Sequence, residues 1–207
     1  MDKTEALRLA RQSIAQDVDA LQSISRDLGD EFWVAANLIA SCPGLVWVTG
    51  VGTSATVGAR FAHILTDCGS RSMFLSPDMG IHGHCGAMAP NEVLVAISRG
   101  GESLEVNTVV RIATQLGLAT LAMVDNVKST LGGLCQHILP VHTAIQFELG
   151  GYCATTSTVG TAAVCDAICA AVLQVKGYTP EEFRRTHPGG AVGLAGRVAD
   201  SPGGKGQ

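Results

Sequence analysis

Residues 92–103 read Glu-Val-Leu-Val-Ala-Ile-Ser-Arg-Gly-Gly-Glu-Ser. The stretch Glu92–Ser98 is almost wholly apolar and rich in β-branched residues, which fits a strand buried on both faces. It ends in Ser98-Arg99-Gly100-Gly101, and Ser103 is a residue type that begins helices. A helix is predicted from Ser103 to Leu116. A doubly buried strand that passes through a glycine loop into a helix is the building unit of a parallel sheet clad by helices.

The same alternation extends in both directions. Upstream, Val46–Gly50 reads as a buried strand, Ser54–Cys68 as a helix and Ser72–Leu75 as a short strand. The Gly-, His- and Met-rich stretch Met79–Ala89 reads as a loop with a short helix. Downstream come a strand at Ala119–Val124, a short helix at Ser129–Leu134 and a strand at His137–Val141. A long helix covers Thr156–Lys176 and ends at Gly177, and Thr179-Pro180-Glu181-Glu182 opens another with Pro at its first position. Five strands interleaved with helices predict an α/β fold, a doubly wound five-stranded parallel sheet flanked by helices. Ahead of the first strand, Leu7, Ala10, Ile14, Val18, Leu21 and Leu28 recur at spacings of three, four and seven, so residues 3–28 form an amphipathic helix. Gly29 stops it, and Asp30 is expected to cap a second helix running to Ser41. The expected organisation is a helical arm over 1–44, packed on the domain or on a neighbouring subunit, then one domain over 45–198 and a disordered tail over 199–207.

Composition narrows the function. With 207 residues, 46% of them hydrophobic and 25 of them Gly, the chain suits a single domain of closely packed small aliphatics. No run of about 18 apolar residues is free of polar interruption, so no membrane span is expected. The charged start is not that of a signal peptide, and a cytoplasmic location follows as an expectation. A net charge of −4, with no basic cluster longer than Arg184-Arg185, argues against a nucleic-acid partner. The seven Cys are an odd number without a CxxC pair. Cys42, Cys68, Cys135, Cys165 and Cys169 sit in apolar stretches and read as reduced, hydrophobic thiols.

In open parallel sheets, ligands bind at the carboxyl ends of strands, and two strands here end in unusual loops. Thr49–Gly58 carries Gly52, Thr53 and Ser54 at the start of a helix. Its GxGxxxxG spacing misses the dinucleotide pattern by two residues, and no acidic residue closes a strand about twenty positions on, so no nicotinamide cofactor is expected. The second loop offers the hydroxyls of Ser98 and Ser103, the exposed amides of Gly100 and Gly101, and the charge of Arg99. A third patch, Thr155-Thr156-Ser157-Thr158, opens the long helix. Hydroxyls and amides around helix N-termini make a phosphate cradle that needs neither metal nor lysine. The His82-Gly83-His84-Cys85 cluster lacks a usual zinc spacing, so no metal is expected there and His82 reads as a substrate contact.

These stretches resemble the sugar isomerase (SIS) domain family, and within it the arabinose 5-phosphate isomerase group. The resemblance runs from Val46 to Gly193. It rests on Gly50-Val-Gly-Thr-Ser54, His82-Gly83, Ala96-Ile-Ser-Arg-Gly-Gly-Glu-Ser103 and His187-Pro-Gly-Gly-Ala-Val-Gly193, the last after a Gly-Tyr-Thr-x-Glu-x-Phe run. It implies a sugar phosphate ligand and a cofactor-free aldose–ketose isomerisation through an enediol, on an arabinose 5-phosphate/ribulose 5-phosphate-like substrate. It also implies a homodimer or homotetramer with sites between subunits. By the same resemblance Glu102, Glu148, His187 and His82 are the catalytic candidates. Thr53 stands where that group usually has Lys, and its later catalytic Glu falls near Gln146 or Glu148. The paired CBS modules common in the group do not follow the domain in this sequence.

A carboxylate that shuttles a proton between C1 and C2 works best when burial raises its pKa. Glu148 is the better candidate for that base, while Glu102 reads equally as a helix-dipole partner. His187, beside a helix exit, suits ring opening. Two alternatives stay open: a non-catalytic phosphosugar sensor, and an enzyme acting on another sugar phosphate.

Overall fold

The computed structural model of the chain describes residues 1–189. The expected tail over 199–207, the domain end at 198 and the Gly190–Gly193 half of the last motif lie outside the described residues. Five parallel strands, β1 (Val46–Gly50), β2 (Ser72–Leu75), β3 (Val93–Ile97), β4 (Ala119–Val124) and β5 (His137–Pro140), form one sheet in the order β2-β1-β3-β4-β5. Every residue of β1 and β3 is buried, as a strand covered on both faces requires.

Alternation along these strands feeds two cores. Val46, Val48, Val93, Val95, Ile97, Leu121 and Met123 meet α2 (Asp30–Ala40), α3 (Thr53–Asp67) and α7 (Thr156–Lys176) on one face. Trp47, Leu94, Ala96, Ala122 and Val124 meet α5 (Leu104–Gln115) and α6 (Thr130–Leu134) on the other. The short α4 (Pro77–Ile81) and a 3₁₀ turn at His84–Ala87 also pack on this second face, over α5. A capping box at Thr179 and Glu182 starts α8 (Pro180–Thr186). The parallel five-stranded α/β sandwich is the one expected from the strand pattern.

Three local expectations are corrected. Gly29, not Asp30, is the N-cap of α2, and Asp30 enters the first helical turn beside Glu31. The helix after β1 begins at Thr53, one residue early. Ser103 holds the N-cap position of α5 with extended backbone, but its hydroxyl makes no capping bond.

One described helix, α7, is long and apolar enough by length and composition to cross a membrane, with a mean hydropathy of 1.7. Val164, Cys165, Ile168, Cys169 and Val172 bury its inner face against the sheet-side core. On α1 (Lys3–Asp27), only Ala20 and Ile24 are buried. Ile24 meets α7 at Gly160, where a Cβ would come within 2.6 Å of the Ile24 side chain, so glycine permits the close approach of the two helices. Thr156 Oγ1 donates to Asp17 Oδ1 at 2.7 Å and ties the same two elements. The stripe of Leu7, Ile14 and Val18 remains 44–64% exposed.

Candidate active site

The carboxyl ends of β1, β3 and β4, with the residue that follows β5, converge on one pocket. Thr53, Ser54 and Val57 from α3, Ile97 of β3 with Arg99 just past it, Met123 and Val124 of β4 with Asp125 after them, and Val141 form three sides. Ala154, Ser157, Thr158 and Thr161 from the start of α7 form the fourth. Two helices therefore aim their N-termini at the same space, and they differ in one decisive respect. The first turn of α3 holds no acidic residue, and its N-cap Gly52 provides no side-chain cap. Its amides and partial positive charge are left for an anion.

The N-terminus of α7 is already filled by an anion from its own chain. Glu148 Oε2 accepts from Thr155 N at 2.6 Å, and Oε1 accepts from Ser157 N at 3.2 Å and from Arg99 Nη1 at 2.8 Å. The Glu148 side chain is fully buried. Burial alone pushes its pKa up, but the Ser157 hydroxyl, the two amides and Arg99 outweigh it and hold the carboxylate below the usual range. The expectation that burial raises this pKa is thus corrected: Glu148 is caged as an anion. Arg99 is correspondingly committed. Nη2 donates to Thr143 O at 3.1 Å, Nε lies 3.6 Å from Asp125 Oδ2, and Asp125 Oδ1 lies 2.9 Å from His142 Nδ1.

The β3–α5 loop lies beside this network. Ser98 Oγ accepts from Gly101 N at 3.2 Å and lies 3.4 Å from Ser103 Oγ, which brings the two hydroxyls together. Gly101 adopts φ +73°, and a Cβ there would stand 2.0 Å from Ser129 Oγ, so the loop can press on α6 only with glycine at this point. Its carbonyl accepts from Leu131 N at 3.0 Å and from Asn107 Nδ2 at 3.3 Å. Gly100 is exposed with open space around it.

The sequence pattern of the SIS domain matches residues 39–171. The chain belongs to the SIS domain family. Arabinose 5-phosphate isomerase KpsF of Escherichia coli is 34% identical over 193 residues, covering 92% of this chain and 59% of the relative. The chain therefore spans about three fifths of the length of that relative. A sugar-phosphate isomerase candidate from Listeria monocytogenes superposes with a TM-score of 0.87 at 25% identity, covering 91% of this chain and all of the other. A protein of Escherichia coli CFT073 in complex with arabinose 5-phosphate gives the same TM-score and coverage at 23% identity.

Within this SIS domain the residues singled out from sequence fall into separate groups. Thr53, Ser54, Arg99 and Ser157 line the pocket, with Gly52 at its edge and Glu148 behind Arg99 and Ser157. Ser98, Gly100, Gly101 and Ser103 form the neighbouring loop. Thr155 and Thr156 belong to the Glu148 cage and to the Asp17 contact, so their hydroxyls serve the protein's own groups. Glu102 is exposed and turned to α6, where it accepts from Thr130 N at 2.9 Å and Thr130 Oγ1 at 2.6 Å. Those bonds lower its pKa. His82 stands exposed at the end of α4, 3.9 Å from Asp78. His187 meets Asp67 at the opposite end of α3 from Thr53, about 20 Å of helix away. Sequence reasoning missed Asp125, His142 and Thr143. Asp125 had a signal, since it is the first polar residue past a buried strand at the ligand-binding edge.

Proposed function

We propose that the chain is a phosphosugar aldose–ketose isomerase that acts through an enediol on an arabinose 5-phosphate/ribulose 5-phosphate-like substrate. The observation that carries this reading is the open N-terminus of α3 at Gly52-Thr53-Ser54, facing a pocket at the carboxyl edge of the sheet. Kinship with KpsF supplies the reaction class. In this reading the amides and hydroxyls of Thr53 and Ser54 take the phosphate, and the paired Ser98 and Ser103 hydroxyls extend the cradle. The sugar carbons then run toward Arg99, Asp125 and Ser157. Arg99, held by Glu148 and flanked by Asp125, is the guanidinium nearest those carbons. Glu148 is a positioning residue here, since a carboxylate caged by Arg99 and two amides is a poor proton acceptor. Glu102, His82 and His187 enter only through assembly, each being carried to the pocket of a neighbouring subunit in a cytoplasmic homodimer or homotetramer. The exposed stripe of α1 gives such an assembly apolar surface to bury.

Incubation with pentose, hexose and heptose phosphates in heavy water tests the reading by NMR. Deuterium entering C1 or C2 of one sugar supports it. Measurable binding without exchange into any of them overturns it and leaves a phosphosugar sensor.

A further inference from the structure

Among the described residues that line the active-site pocket, Asp125 is the one carboxylate. The sheet sets its place. Asp125 follows β4 directly and its N–H donates to Arg99 O at 3.0 Å, while on the other side Val141 N donates to Val124 O at 2.8 Å. The chain leaving β4 is thus held between both neighbours, with His142 beside Asp125.

Asp125 differs from the nearby glutamates in having an oxygen without a donor. Both Glu148 oxygens are engaged by Thr155, Ser157 and Arg99, and both Glu102 oxygens by Thr130. Asp125 Oδ1 lies 2.9 Å from His142 Nδ1. An ionised carboxylate only accepts, so Nδ1 carries the hydrogen and donates it. Oδ2 faces Arg99 Nε at 3.6 Å, too far for a hydrogen bond, and the side chain is 29% exposed. The hydroxyls around it already donate elsewhere. Thr158 Oγ1 donates to Ala154 O at 3.1 Å, Thr161 Oγ1 donates to Ser157 O at 2.8 Å, and the Ser157 hydroxyl serves Glu148. This end of the pocket therefore presents a strong acceptor that lacks a partner. It suits a ligand group that donates a hydrogen and carries no negative charge.

We propose that Asp125 reads the hydroxyl at C2 of the sugar, accepting its hydrogen on Oδ2 while His142 fixes the carboxylate through Oδ1. This role rests on the proposed phosphosugar reading, which sets the phosphate at α3 and the carbonyl end of the sugar at Asp125. It adds a residue that tells one sugar phosphate from another. A site built to bond a ligand hydroxyl rejects the analogue without it, because the acceptor is then desolvated and unpaired.

The test titrates the full chain with arabinose 5-phosphate and with 2-deoxyribose 5-phosphate, the same sugar without its 2-hydroxyl. Wild type should bind the first at least about tenfold more tightly. Asp125→Ala should bring that ratio within about twofold of unity, and the isosteric Asp125→Asn should lower it at least about threefold. Neither should weaken binding of inorganic phosphate, and thermal melting checks that both fold. His142→Ala, which frees the carboxylate to turn, should lower the ratio, and His142→Asn, whose amide replaces the Nδ1 donor, should restore it. Binding is read without turnover, so a preference present in wild type and lost in the Asp125 variants supports this role even if no sugar exchanges deuterium. Deuterium exchange together with equal binding of the two sugars overturns the role and leaves the isomerase reading standing. Absent binding of both sugars, or a preference that survives both Asp125 substitutions, also overturns it.

Discussion

Substitution of Glu148 by Gln probes the anion cage at the start of α7. The two carboxylate oxygens face donors on both sides, Thr155 N on Oε2 and Arg99 Nη1 with Ser157 N on Oε1. A glutamine must turn its NH₂ toward one of them, so at least one buried backbone donor or the Arg99 guanidinium loses its acceptor whichever way the amide flips. An unsatisfied buried donor costs about 1–3 kcal/mol, and breaking a buried ion pair about 3–5. Arg99 keeps Thr143 O and the neighbouring Asp125, which places the loss near the middle, at about 3 kcal/mol. For a domain of this size that lowers Tm by roughly 6–12 °C. The pH dependence has a definite sign. The Glu148 pKa is depressed in the folded state, so its stabilisation is complete above the ordinary glutamate value of about 4.3 and is lost as pH falls through the lower folded value. Calorimetric Tm values from pH 7 to pH 3 should therefore show a wide gap between the two proteins at neutrality that closes in acid. Equal melting at pH 7, or a gap that persists unchanged in acid, refutes the cage.

Two further substitutions test the pocket from either side. Gly101→Ala meets both a left-handed φ and Ser129 Oγ at 2.0 Å. It should cost about 3 kcal/mol, and Gly100→Ala next to it, in open space, less than about 0.5, as read by urea unfolding. Thr53→Glu places an acid in the uncapped first turn of α3. It should raise stability by about 0.3–1 kcal/mol through the helix dipole and weaken inorganic phosphate binding by NMR titration about fivefold. Unchanged phosphate affinity would separate the anion site from this helix end.

The fold was legible because burial on two faces leaves a direct trace in sequence. Val93-Leu94-Val95-Ala96-Ile97 has no polar face to spare, and neither has the strand at Val46. The first turns of α3 and α7 were harder to tell apart. Thr53-Ser54 and Thr155-Thr156-Ser157 present the same residue types in the same local setting, and both read as phosphate cradles. What separates them is tertiary. The chain between β5 and α7 folds back through a 3₁₀ turn at Ile145–Phe147 and delivers Glu148 to the amides of the helix it precedes. No periodicity or spacing announces that return. Its consequence reaches Arg99, whose charge looked available from the sequence of its own loop and is instead held by Glu148 at 2.8 Å.

This difference also sets how the pocket divides its work. An anion already seated on α7 repels a second one placed at that end and leaves the uncapped α3 terminus as the favoured end for a phosphate. In the proposed reading the Glu148–Arg99 pair stands at the other end of the bound molecule, at the carbons rather than at the phosphate. In that reading a ligand is given a direction by two helix ends of like sequence, one filled and one open. The two variants above report on those ends separately: Thr53→Glu acts through phosphate affinity, and Glu148→Gln through the setting of Arg99. If loss of Glu148 weakened inorganic phosphate binding as strongly as Thr53→Glu does, both helix ends would serve the phosphate and this polarity would be wrong.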